Sequence, residues 1–481
     1  MKKITRRDLM KTTGMAGAAA LMSVPALNVL GANEEIRVAV CGVNGQGYAN
    51  AGTFRKIPGV KVIAFADPDK AVLDKRIKDF GGGIDGHQDY REVLDRKDVD
   101  AIVIATPNHW HSLMTVQACQ AGKDVYVQKP VSHTMWEGGQ LDKARQKYGR
   151  IVQAGTQNRS DVGLREFHQY VSEGNLGKLT KAYGLCYRCR KGIGKLSSPL
   201  KPPSTVDYNL WLGPAQDLPM YRKNFHYDWH WVWNTGNGDF GNQGPHETDL
   251  LYWFLGNKTL PTSVNTFGGR FGWDDAGETP NMQFAAFEWG DVPVFFEVRD
   301  MAVDPSKGYG PRFNGMETGI ILEYEGGTFK GGRGGGWVYD KDNKKVKQFS
   351  GDGGGGHMAN FIGAMRSRKQ EELHAPVDQA HRSASLFHLA NISYNLGGNV
   401  SPEQLKEAMG EDKECQASIE RLGGQLADWK IDLEKTPWTL GTPLKFNPEK
   451  MSFRGRTELV KKANSMIKRE YRKPFVVPDE V

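Results

Sequence analysis

The chain has 481 residues, of which 39% are hydrophobic and 25% charged. That length exceeds one ordinary core, so two domains are expected, and the balance excludes wholesale disorder. The formal charge is +7, but Lys2, Lys3, Arg6, Arg7 and Lys11 stand against Asp8 alone in the first 32 residues, and without that segment the charge is +3. Such a balance calls for neither nucleic acid nor a membrane surface.

Thr5-Arg6-Arg7-Asp8-Leu9-Met10-Lys11 precedes an uncharged run over residues 12–32. A basic start, an apolar middle and small residues near the end make a removable signal. The paired arginines resemble a twin-arginine export signal, with cleavage expected after Ala26 or Ala32. Gly14, Gly17, Ser23 and Pro25 make a stable membrane span a poor alternative. The twin-arginine machinery carries folded proteins. It suits a periplasmic enzyme that loads a soluble cofactor before leaving the cytoplasm.

Strands and helices alternate from residue 34 to 155. Strands are expected at 36–41, 60–66, 99–106, 125–128 and 151–154, with helices at 45–57, 70–80, 111–121 and 135–148. Short apolar strands separated by helices imply a doubly wound parallel sheet covered on both faces. Residues 183–333 are rich in aromatic and β-branched residues, with strands expected at 182–187, 263–267, 282–289, 292–299 and 319–324. They predict a mostly antiparallel sheet in an α+β domain. Residues 331–356 are glycine-rich and are expected as loops, helices return at 358–367 and 379–396, and a charged tail begins at Pro402. The expected division is a signal at 1–32, a Rossmann domain at 33–155, an α+β second domain at 156–400, to which the resemblance described below assigns substrate binding and oligomerisation, and a helical tail at 401–481.

Gly42-Val43-Asn44-Gly45-Gln46-Gly47 joins the first strand to the first helix. Small residues there let the backbone approach a pyrophosphate, and the helix N-terminus supplies free N–H groups. Asn44 occupies the middle glycine position of the usual pattern, a residue that tolerates left-handed backbone. Asp67, 20 residues past Gly47, is placed to hydrogen-bond an adenosine ribose and to repel a 2′-phosphate, favouring NAD over NADP. Asp67 also reads as a helix cap before Pro68. Thr106, Asn108 and His111 follow the third strand at the sheet's carboxyl edge. Gln128 and Lys129 end another strand there, where a lysine can exchange a proton with a substrate hydroxyl.

With these motifs the chain resembles the Gfo/Idh/MocA (glucose–fructose oxidoreductase / inositol dehydrogenase) family. The matching features are the glycine turn, Ala66-Asp67, Thr106-Pro107-Asn108 with His111, Lys129-Pro130, Gly155, Leu212-Gly213-Pro214 and residues 236–251. The resemblance covers nearly all of residues 35–400. It implies an open-faced second sheet that often mediates dimers, hence a homo-oligomer. It also implies hydride exchange between a sugar-like alcohol and a nicotinamide dinucleotide, which several exported members hold tightly. Lys129 and His246 carry over as catalytic residues, while Gln128 and Asn242 stand where the family has carboxylates. Their loss is expected to lower the pKa values of Lys129 and His246.

Arg159, Trp211, Tyr227, Trp229 and Asn242 are candidate substrate contacts, together with His246. His226 and His230 are four residues apart, a spacing open to a metal pair, but the surrounding aromatics favour a carbohydrate platform. Cys186-x-x-Cys189 has no second pair for zinc. A disulfide suits an oxidising compartment, whereas the strand-like flanks favour free thiols. No metal is expected. The leading function is a sugar or glycoside dehydrogenase with bound NAD. The alternatives are redox-assisted glycoside cleavage by hydrolysis or elimination, and a catalytically silent sugar-binding protein.

Overall fold

The computed structural model describes residues 35–257 and 259–481. The export signal expected at 1–32 lies outside the described residues.

The first sheet has six parallel strands in the order β3-β2-β1-β4-β5-β6. They are β1 (Ile36–Cys41), β2 (Val60–Ala66), β3 (Asp85–His87), β4 (Ala101–Ile104), β5 (Asp124–Val127) and β6 (Val152–Ala154). Between them run α1 (Gln46–Phe54), α2 (Lys70–Phe80), α3 (Tyr90–Leu94), α4 (Asn108–Gln120) and α5 (Met135–Tyr148). Side chains alternate across β1. Val38 and Val40 pack with Phe54 of α1, while Ala39 and Cys41 face Leu113 and Leu141 of α4 and α5. Burial on both faces is why these strands read as continuous apolar runs. Local signals set the helix ends. Asp69 caps α2, Gly81 closes it at φ 103°, and Thr134 with Glu137 forms a capping box on α5. Strand order reverses between β1 and β4, which opens a crevice at their carboxyl ends.

α6 (Val162–Ser172) leads into the second sheet. Its central strands are β7 (Leu179–Tyr187), β8 (Ser263–Gly269), β9 (Met282–Trp289), β10 (Val292–Arg299), β11 (Thr318–Tyr324) and β12 (Gly327–Gly332), with α7 (Tyr208–Leu212) and α8 (Pro245–Phe254) between β7 and β8. β7 pairs parallel with β10, and the other pairings of this sheet are antiparallel. The glycine-rich stretch expected as loops instead forms β13 (Gly335–Tyr339) and β14 (Lys345–Ser350). Its glycines serve close strand packing: a Cβ on Gly336 would lie 2.6 Å from Lys330 O.

α9 (His357–Ser367) returns to the first sheet, where Phe361 and Met365 join the Val38 layer. α10 (Val377–Asn395) packs on both α5 and α8. One face of the second sheet, carrying Ala182, Cys186, Val294 and Phe296, is buried with Leu250, Leu386 and Phe387 of α8 and α10.

The other face, which the resemblance implies to be open, is covered. The tail forms β15 (Gly398–Val400), α11 (Pro402–Ala408), α12 (Lys413–Asp428), β16 (Trp438–Leu440), β17 (Leu444–Asn447), β18 (Ser452–Phe453) and α13 (Glu458–Ser465). Leu405, Ile419, Leu422 and Leu426 of α11 and α12 bury Tyr183, Leu185, Phe295 and Ile321. The tail is therefore built into the second sheet rather than appended as helices, and β16 and β17 both pair with β8. The last residues return to the first domain. Phe475 and Val477 enter its apolar layer, and the Phe475 ring meets Trp110 edge-on at 5.4 Å between centroids. Among the described residues no helix is long and apolar enough to cross a membrane.

Candidate cofactor and substrate cleft

A cleft of about 450 Å³ lies at the reversal point, between the carboxyl ends of β1, β4 and β5 and the second domain. Gly42, Asn44, Gly45, Gln46, Asp67, Thr106, Asn108, His111, Gln128, Lys129, Trp211, Tyr227, Trp229 and Asn242 all line it. Gly47, Arg159 and His246 do not.

The glycine turn is shaped for a close ligand. Gly42 adopts φ 81°, and a Cβ there would lie 2.7 Å from Ala105 O. A Cβ on Gly47 would lie 1.9 Å from Gly42 O, so Gly47 folds the turn instead of touching the void. Asn44 is not among the residues with positive φ. The left-handed position falls on Gly42, so Asn44 needs no special tolerance. Its carbonyl accepts from Arg76 Nη2 instead. Gly45 begins α1 without a side-chain cap, and a Cβ there would meet open space. Free N–H groups and room beside them suit a pyrophosphate.

At the start of α2 the helix-cap role falls to Asp69, so Asp67 is left for the turn and the cleft. Its carboxylate accepts from the N–H groups of Val43 (2.9 Å) and Asp69 (3.1 Å), tying the turn to the start of α2, and it also faces the cleft. Burial pushes its pKa up to about 6, against the pull of those two N–H groups. His111 braces the neighbouring strand exits, with Nε2 2.7 Å from Thr106 O and Nδ1 2.6 Å from Pro130 O. Asn108 reaches the second domain, donating to Asn237 Oδ1 at 2.9 Å. Gly155 admits the Gln128 side chain, since a Cβ would lie 2.6 Å from Gln128 Oε1. Gly213 likewise lies against the Trp110 indole, which explains the Leu212-Gly213-Pro214 motif.

Lys129 Nζ donates to Asn242 O at 2.5 Å and lies 3.3 Å from Asn242 Oδ1. Asn242 Nδ2 donates to Asp239 Oδ1 at 2.9 Å, and Asp239 also accepts a two-pronged pair from Arg190 at 2.7 and 3.0 Å. A carboxylate is thus retained three residues upstream of Asn242 and acts on Lys129 through the amide. Lys129 is lowered to about 8. Its own burial is the leading cause, and the charges of Asp239 and Glu247 oppose it. The expected direction agrees, but desolvation rather than carboxylate loss accounts for it. Burial also raises Glu247 to about 8. His246 is held well below its ordinary value by burial first, then by the charge of Lys129. Its Nδ1 is buried without a partner.

The aromatic candidates form one wall. Trp229 stacks on His230 with centroids 3.6 Å apart, and Tyr227 is 45% exposed beside them. Trp211 serves core and cleft together, its carbonyl accepting from Trp110 Nε1 at 3.0 Å. Arg159 is not a substrate contact. Its guanidinium is buried against Asp249 at 2.7 and 3.0 Å, with Asn257 3.2 Å away. The candidate metal histidines diverge: His226 Nε2 meets Asp69 at 2.8 Å and His230 Nδ1 meets Tyr227 O at 2.6 Å. Among the described residues no group of three or more His, Cys, Asp or Glu is placed to hold a metal. All five cysteines are free thiols, Cys186 and Cys189 included.

Sequence reasoning missed Arg188, Arg190, Asp239 and Gln243. Asp239 lies within the matching stretch 236–251, but nothing along the chain marks it as the partner of Arg190 and Asn242. Arg188 and Arg190 carried one usable signal, their place directly past the end of β7.

Fold and cleft together define a dinucleotide-binding Rossmann domain joined to a second α/β domain. Residues 36–156 match the family profile for the NAD-binding Rossmann fold of the Gfo/Idh/MocA oxidoreductases, and residues 177–282 match that for their C-terminal alpha/beta domain. The chain belongs to the Gfo/Idh/MocA family. It is 36% identical over 135 residues to glycosyl hydrolase family 109 protein 2 of Shewanella sp. (strain ANA-3), covering 26% of this chain and 29% of that protein. It is 28% identical over 145 residues to scyllo-inositol 2-dehydrogenase (NAD(+)) of Bacillus subtilis (strain 168), covering 30% and 42%. The match thus spans less than a third of the Shewanella relative's length and under half of the Bacillus one's. Among solved structures, levoglucosan dehydrogenase in complex with NADH and levoglucosan superposes with a TM-score of 0.57 at 15% identity, covering 74% of this chain and 96% of that one. The WlbA dehydrogenase of Bordetella pertussis, in complex with NADH and UDP-GlcNAcA, gives 0.54 at 19% identity, covering 74% and 95%.

Proposed function

We propose that the protein oxidises or reduces a CH–OH group of a sugar or glycoside with a resident nicotinamide dinucleotide, NAD in preference to NADP. The observation that carries this reading is the meeting of the glycine turn, Asp67 and Lys129 on one cleft. When bound, the dinucleotide supplies a hydride acceptor or donor. The backbone N–H groups at Gly45 and Gln46 hold its pyrophosphate, and Asp67 holds its adenosine ribose while repelling a 2′-phosphate. Asn242 and the aromatic wall orient the substrate. Lys129, lowered to about 8, takes the hydroxyl proton when neutral and returns it in the reverse direction. His246, which does not line the cleft, takes no direct part in this reading. The N-terminal signal directs the loaded protein to the periplasm, where free NAD is not exchanged.

The test is a screen of sugars and glycosides against purified, dinucleotide-loaded protein, read by nicotinamide absorbance. Absorbance that no sugar or glycoside changes sinks the reading. Replacing Arg6 and Arg7 with lysine is expected to block export, and normal periplasmic yield of that variant removes the location.

A second reading is redox-assisted glycoside cleavage. Its support is the 36% identity over 135 residues to a family 109 glycosyl hydrolase. It predicts cleavage of an aryl glycoside with no net change in the dinucleotide. A silent sugar-binding protein would leave nothing for Lys129→Ala to lose.

A further inference from the structure

Arg188 follows the last residue of β7, on a segment fixed from both sides. Its N–H donates to Arg299 O at 3.2 Å, and two residues later Arg190 N–H donates to Asp300 O at 2.5 Å. The Arg190 guanidinium is spent on Asp239. Arg188 is not: its side chain is exposed, it lines the cleft, and it forms no ion pair or side-chain hydrogen bond with any described residue. Its charge acts on His246 and Glu247, as does that of Lys129, so the two cations share the substrate end of the cleft. The carboxylates there are committed. Asp239 holds Arg190 and Asn242, and buried Glu247 is largely protonated at neutral pH. The dinucleotide phosphates belong at the other end, on the glycine turn. An unpaired guanidinium on a pinned segment, in the cleft that the exposed Tyr227 ring also lines, therefore faces whatever the sugar carries.

We propose that Arg188 is a specificity-determining residue that binds an anionic group on the substrate, so that the protein takes a sugar bearing a carboxylate or a phosphate in preference to a neutral one. The planar fork of arginine matches either group with two parallel hydrogen bonds, while the Tyr227 and Trp229 wall takes the sugar face. The inference rests on the cleft being a sugar site, as proposed above.

Calorimetric titration of the full-length, dinucleotide-loaded protein with D-glucuronate, D-glucose 6-phosphate and D-glucose tests it. One of the two anions is expected to bind at least about tenfold more tightly than glucose. Which anion wins identifies the group. That advantage shrinks as salt rises. Arg188→Gln erases it without changing dinucleotide content, and Arg188→Lys restores part of it. Glucose binding as tightly as both anions overturns the proposal, as does no binding of either anion. A loss in Arg188→Gln that falls equally on glucose, or on the dinucleotide, also overturns it. The wild-type ratios decide even where a variant does not fold. Heat of binding needs no hydride transfer, so a retained anion preference without any absorbance change sinks the dehydrogenase reading and leaves this one standing.

Discussion

At Lys129 the decisive quantity is desolvation. A buried amine held near 8 is half neutral at mildly alkaline pH, and only the neutral form accepts a proton. Alcohol oxidation is therefore expected to rise with pH through about 8. Lys129→Ala should lower turnover by about 10²–10⁴-fold while leaving dinucleotide content intact. Asn242→Asp puts a carboxylate against Nζ, which favours the ammonium and should move the alkaline limb upward. A pH–rate profile for that variant identical to the wild type would remove Lys129 as the titrating group. Asp67 gives a second pH effect, of the opposite chemical sign. Its pKa near 6 leaves it ionised at pH 7 and increasingly protonated below 6. The preference for NAD over NADP is expected to narrow as pH falls from about 7 to 5, and Asp67→Asn should narrow it at pH 7. Parallel titrations of both dinucleotides check this; a ratio flat with pH assigns the preference elsewhere.

Between elements, buried polar pairs and covered faces fix the geometry. Arg159 ties the segment after β6 to Asp249 of α8, and Ser383 of α10 also bonds Asp249 at 2.9 Å. Removing one partner strands a buried charge, so Asp249→Ala should cost about 3–5 kcal/mol, measured by denaturant unfolding. Sugar affinity of the surviving folded protein should be unchanged, because Arg159 is outside the cleft. α12 covers the second sheet through Ile419, Leu422 and Leu426. Leu422→Ala should cost about 2–5 kcal/mol, whereas a face left open to a partner copy would make that position tolerant. These contacts were not legible in the chain. The helical period of α12 shows an apolar stripe but not which surface the stripe meets. Strands β13 and β14 were hidden for a related reason: the glycines that open β13 have no side-chain pattern, β14 is a mostly exposed edge strand, and their pairing is set by neighbours already in the sheet.

Across the whole molecule, histidine burial governs acid stability. His109, His230 and His388 are pushed down to about 3, and His357 and His381 to about 4, each chiefly by burial. The unfolded chain protonates these rings from about pH 6.5 downward while the folded protein does not, so stability falls as pH drops below that point toward 3–4. Glu247 and Asp67, raised in the fold, act in the opposite sense but are fewer. Thermal midpoints are expected to decline from pH 7 to pH 5, and a flat profile over that range would show that the rings take up protons in the folded state.

The sequence by itself determined the parallel first sheet, the phosphate turn, Asp67 and Lys129 at the carboxyl edge, because each depends on neighbours close along the chain: an apolar run, a glycine at positive φ, a residue directly past a strand. The tertiary structure alone decided that Arg159 is a buried strut, that Asp239 acts on Lys129 through Asn242, that Arg188 lines the cleft unpaired, and that the tail seals the second sheet. Each of those joins residues from separate elements, and the side chain's role follows from what folding places opposite it.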